Sequence, residues 1–144
     1  MNKFTTMLVG VLALAFGAGI AYADEKEADD CLRNKIWAGY ESGWAVRTAT
    51  TISLEQEAHR VFLVTLYQGN EYKLMVCGDK DAKNLDLVLH DTKGTEIMRD
   101  TDESREPSLT YTPTETQTFY VAVYAASVAE DAESAGVAFA VTYK

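Results

Sequence analysis

Three short apolar runs between His59 and Asp91 constrain this chain more than anything else in it. They read HRVFLVTLYQGNEYKLMVCGDKDAKNLDLVLHD. Gln68-Gly69-Asn70 separates the first run from the second, and an Asp/Lys/Asn cluster separates the second from the third. Apolar runs of this length, punctuated by turn residues, are the pattern of consecutive antiparallel strands. In the last run Leu85, Leu87 and Leu89 take one face, while Asp86, Val88 and His90 take the other. Tyr72, Leu74 and Val76 alternate in the same way with Lys73, Met75 and Cys77. Asp91-Thr92-Lys93-Gly94 closes the stretch as a turn, with Gly94 free to take a positive φ.

The same period of two recurs on both sides. Val46, Thr48, Thr50, Ile52 and Leu54 alternate before a polar connection at Glu55-Gln56-Glu57. Glu96 to Met98, Leu109 with Tyr111, Thr118 to Tyr124 and Val137 to Tyr143 read as further strands. The loops fall at Asp100 to Pro107 and Ser127 to Ser134. Many short strands at regular spacing predict an all-β fold, an antiparallel jelly-roll-like β-sandwich over residues 45–144. Ahead of it, Leu32, Ile36 and Tyr40 recur at helical spacing, with Trp37 beside them. They predict a short helix over 29–43, capped by Asp29 or Asp30 and stopped at Gly43. Asp24 to Asp30 reads as a mobile charged lead-in. A helix this short is marginal alone, so it is expected to dock on its own domain, with Trp37 and Trp44 packed.

The first 23 residues have a different logic. Lys3 gives a positive start, Met7 to Ile20 an apolar core, and Ala21-Tyr22-Ala23 an A-x-A cleavage site. That is the build of an export signal. Its apolar stretch falls short of the roughly 20 residues that span a bilayer, so no membrane anchor is expected after cleavage. The mature chain would be a single domain from Asp24 to Lys144, periplasmic or secreted. Losing Lys3 takes the 13 cations to 12 against 22 acids, and the formal charge from −9 to −10. Such a chain repels phosphate backbones, which argues against nucleic acid as a partner. An oxidising compartment and an even cysteine count predict a Cys31–Cys77 disulfide, with two free thiols as the alternative.

A family resemblance rests on the strand pattern. Leu66-Tyr67-Gln68-Gly69-Asn70-Glu71-Tyr72-Lys73-Leu74 is followed by Asn84-Leu85-Asp86-Leu87-Val88-Leu89-His90-Asp91 and then Gly94. Leu109-Thr110-Tyr111-Thr112-Pro113, Phe119-Tyr120-Val121-Ala122-Val123-Tyr124 and Val137-Ala138-Phe139-Ala140-Val141 come later in matching order. From His59 to Lys144 this resembles the bacterial pre-peptidase C-terminal domain. The resemblance implies a jelly-roll-like sandwich that serves as an accessory module of secreted enzymes, with substrate binding in some relatives and calcium in others. The module is expected to stand alone behind the export signal and a short helix, so the attachment role does not carry over directly.

Few residues carry chemistry. Asp79, Asp81, Asn84 and Asp86 are the densest set of oxygen ligands and a candidate calcium site, weighed against a solvated turn. His59 and His90 are the only histidines, too few for a zinc site once the cysteines pair. No nucleophile elbow, zinc-protease helix or phosphate loop is present. Tyr120 and Tyr124 share the strand face opposite Phe119, Val121 and Val123, and they form a candidate ligand surface if that second face is the core. The expectation is a non-catalytic binding module for a protein or polysaccharide, with calcium assistance as an option. A small carboxylate-dependent hydrolase and a structural or stress-related envelope protein are the alternatives.

Overall fold

A computed structural model describes residues 23–144. The export signal read over residues 1–23 lies outside them, Ala23 excepted. One helix leads eight strands. They are α1 (Glu25–Glu41), β1 (Ala45–Glu55), β2 (His59–Leu66), β3 (Tyr72–Gly78), β4 (Ala82–His90), β5 (Glu96–Asp100), β6 (Ser108–Tyr111), β7 (Gln117–Val128) and β8 (Ser134–Tyr143). Two four-stranded sheets run in the orders β1-β8-β3-β6 and β2-β7-β4-β5. Every neighbouring pair is antiparallel. This wrapped order is that of a jelly roll, as the strand pattern predicts.

The core lies between the sheets. Leu74, Val76, Phe139 and Val141 of the first sheet meet Leu85, Leu87, Leu89, Phe119, Val121 and Val123 of the second, all at most 1% exposed. Phe62 stacks on Phe139 across the gap, with ring centroids 4.7 Å apart. A second, smaller apolar layer lies outside the first sheet. There Ala28 and Leu32 of α1 cover Met75, Cys77, Ala138 and Ala140. Strand β3 is therefore buried on both faces, which explains why its alternation is weak in the sequence. The Cys31–Cys77 disulfide joins α1 to that covered face.

Three expectations need correction. The helix starts at Glu25 rather than near residue 29. Asp24 caps it, its side chain accepting from the Glu27 N–H at 2.9 Å, and Glu25 and Glu27 suit the positive end of the dipole. The charged lead-in is thus helical, and Lys26–Asp30 and Asp29–Arg33 pair along its solvent side. Strand β7 continues to Val128, into the stretch that the sequence predicts as loop. Its last residues pair with β4, and the Val128 N–H donates to Gln56 Oε1 at 2.7 Å. Finally, Trp37 is not packed. It is 68% exposed because the helix docks through Ala28, Leu32 and Ile36, leaving Trp37 and Tyr40 beyond the contact stripe.

Candidate functional site

The two sheets differ in what covers them. Helix α1 packs on β8, β1 and β3, all of the first sheet. Among the described residues no element lies on the outer face of the second sheet. Register alone fixes what that face displays. His59, Tyr124 and Asp86 form one cross-strand row, and Val61, Ala122, Val88 and Arg99 form the next. Leu63, Tyr120 and His90 form the third. The outward placement of Tyr120 and Tyr124 agrees with the sequence reading, since Phe119, Val121 and Val123 are fully buried behind them. Both histidines lie on the same face, which the sequence did not reveal. Leu63 is 67% exposed and Val61 is 42% exposed, so the face has an apolar flank along the edge strand β2.

At the β4–β5 side the face forms a shallow hollow of about 270 Å³, lined by Asp86, His90, Glu96, Arg99 and Tyr124. His59 stacks on Tyr124 with centroids 5.0 Å apart, fixing that ring beside the hollow. Glu96 and Arg99 are ion-paired. The Arg99 guanidinium holds the Glu96 carboxyl below the ordinary carboxylate range. Asp86 behaves oppositely. Desolvation raises its pKa, the Asp100 charge adds to that, and Arg99 only partly offsets it. Its Oδ1 atom is buried and has no hydrogen-bond partner among the described residues.

The candidate calcium ligands have separate surroundings. Asp79 is fully buried, and its carboxylate accepts four backbone N–H groups. Oδ1 takes those of Asp81 and Ala82, and Oδ2 takes those of Asp24 and Gly136. Asn84 Oδ1 accepts from the Ser104 N–H, and Asp86 belongs to the open face of β4. Among the described residues, Asp79, Asp81 and Asp86 do not gather within metal-binding reach of one another. Cys31, Cys77 and Glu106 do, but the disulfide consumes both sulfurs. The buried role of Asp79 was missed because a short acid in a turn reads as solvated. Only its four neutral donors, all from backbone and two of them, the Asp24 and Gly136 amides, remote in sequence, disclose it.

No family model matches the chain, and a search of curated proteins finds no relative.

Proposed function

We propose that the protein is an exported, non-catalytic binding module, of the kind the pre-peptidase C-terminal domain supplies, and that it recognises a protein partner through the outer face of its second sheet. The observation that carries this reading is the contrast between the two sheets. A disulfide-tethered helix covers the middle of one outer face, and the other displays tyrosines, histidines and exposed aliphatic side chains. Interfaces draw on Tyr and Arg anchors surrounded by polar groups. Exposed Leu63 and Val61 favour a protein over a polysaccharide, because sugar hydroxyls gain nothing from aliphatic branches. The net negative charge disfavours a strongly anionic partner.

The test is co-sedimentation of the protein with collagen, chitin, cellulose and peptidoglycan, each in calcium and in EDTA. Saturable binding to the protein polymer alone supports the reading. Binding to a polysaccharide instead rejects the choice of partner, and loss of binding in EDTA would bring the metal into the mechanism.

A second reading has its own observation. Asp86 and Glu96 line one hollow, and their surroundings push their pKa values apart. Two carboxyls whose surroundings act in opposite directions are the raw material of an acid and base pair. A small carboxylate-dependent hydrolase would use Asp86 as the acid and Glu96 as the base. Turnover of nitrophenyl glycosides that disappears in both Asp86→Asn and Glu96→Gln would favour it; no turnover by the wild-type protein would discard it.

A further inference from the structure

The Asp79 carboxylate lies at the junction of the helix and the sandwich. It is fully buried. Among the described residues, no Lys, Arg or His nitrogen comes within 4.0 Å of it. Arg105 is close by, but its Nη1 donates to the Asp79 backbone carbonyl, at 3.3 Å. The carboxylate thus rests on four backbone N–H donors, and one of the four is the amide of Asp24 at 2.8 Å. The fit around that amide is close. A side chain at Gly136 would place its Cβ 2.5 Å from the Asp24 carbonyl oxygen, so only glycine lets the backbone of residue 24 lie against β8. Asp24 also caps α1.

Residue 24 is singled out a second time by the sequence. Ala21-Tyr22-Ala23 predicts cleavage between Ala23 and Asp24. We propose that cleavage there turns the Asp24 amide into an α-ammonium group held by the buried Asp79 carboxylate, so that export processing supplies the ion pair that fastens α1 to the sandwich. This rests on the export reading above. The step is a hydrolysis by a signal peptidase. Water adds across the Ala23–Asp24 bond, Ala23 leaves with the carboxylate, and the Asp24 amine takes a proton at neutral pH. A neutral donor becomes a charged one in the same place. Charge-assisted hydrogen bonds are the stronger class, and a buried carboxylate gains most from a paired cation.

The groups around the new amine favour its charged form. Asp79 lies against it, the Asp24 carboxylate is its own, and Glu25 is next on the helix, held by Ser53 Oγ. Arg105 and Lys26 are the neighbouring cations, engaged with the Asp79 carbonyl and with Asp30. The balance is acidic and favours the protonated amine, so the added stability is expected at neutral pH and is lost as the amine deprotonates at alkaline pH.

The experiment compares protein released from a fusion so that it begins at Asp24 with protein retaining residues 21–23, each with and without Asp79→Asn. The form beginning at Asp24 should melt about 5 °C higher at pH 7, with the gap closing at alkaline pH and absent in Asp79→Asn. Equal melting of the two forms, or a gap that survives Asp79→Asn, overturns the socket. Should Asp79→Asn fail to fold, NMR titration of the isotopically methylated Asp24 amine decides, a pKa at or below about 8 overturning the pairing. Intact mass of the exported protein tests the export reading separately. A first residue other than Asp24 overturns the processing step, whereas equal melting with Asp24 confirmed overturns the ion pair alone.

Discussion

Among the described residues, Asp86 and Glu57 are held where their surroundings work against them. Ionised Asp86 has an oxygen buried without a donor, and its pKa is raised above 3.8. A raised carboxyl pKa means that the folded state holds the proton more tightly than the unfolded one. Its contribution is present at low pH and lost as pH rises through the folded value. Asp86→Asn should therefore melt above wild type at pH 7, and the difference should vanish below about pH 3.8; thermal melts across that range read it directly. A variant that melts lower at pH 7 would mean that Asp86 has a partner the geometry does not reveal. Glu57 holds a φ of 64° in the connection between β1 and β2, a conformation that costs an ordinary L-residue about 1 kcal/mol or more. Glu57→Asn should stabilise the fold by about 0.5 kcal/mol, measured by urea unfolding, because Asn tolerates the left-handed region better. Neither cost is visible in sequence. Glu57 reads as a polar loop residue and Asp86 as a solvent-facing strand residue, and only the neighbours brought by folding change that.

At the scale of elements, most strands were legible because they bury one face and so alternate, whereas β3 and β8, covered on both sides, read as apolar runs between turn residues. β2 runs from His59 to Leu66, the bounds of its apolar run, and Gly94 takes its positive φ of 80° in the turn after β4. The helix was less legible. Its docking stripe of Ala28, Leu32 and Ile36 is thin, and the first turn is almost wholly charged, so Glu25 to Asp30 has no apolar period to announce a helix. Trp37 and Tyr40 were drawn into the predicted stripe by spacing, yet the helix meets the sheet through smaller side chains. The helix depends on that contact and on the disulfide. The bond closes a loop of 46 residues, for which chain entropy gives roughly 3–4 kcal/mol. Cys31→Ser with Cys77→Ser should lose about that much in denaturant unfolding. Leu32→Ala, which opens a cavity at the helix–sheet contact, should lose about 2–4 kcal/mol. Hydrogen exchange should show α1 opening before the sandwich in both variants. Simultaneous opening would mean that helix and sheets form one cooperative unit.

For the whole molecule, the asymmetry of the sandwich decides the functional reading. The second sheet is bare along the row of Leu63, Tyr120 and His90, and its register was predictable for Tyr120 and Tyr124 once Phe119, Val121 and Val123 were assigned to the core. The convergence of His59, Asp86 and Arg99 on that face was not predictable, because it depends on strand order across residues far apart in sequence. The helix carries a competing surface, the edge-to-face pair Trp37 and Tyr40 with centroids 6.0 Å apart and both rings mostly exposed. The measurement that separates the two is the affinity for immobilised collagen of wild type, of Leu63→Asp with Tyr120→Ala, and of Trp37→Ala with Tyr40→Ala. If the open sheet binds, the first pair weakens affinity by tenfold or more, about 1.4 kcal/mol, and the second pair leaves it within about twofold. Loss of binding in the helix pair, with the sheet pair binding like wild type, would contradict the assignment.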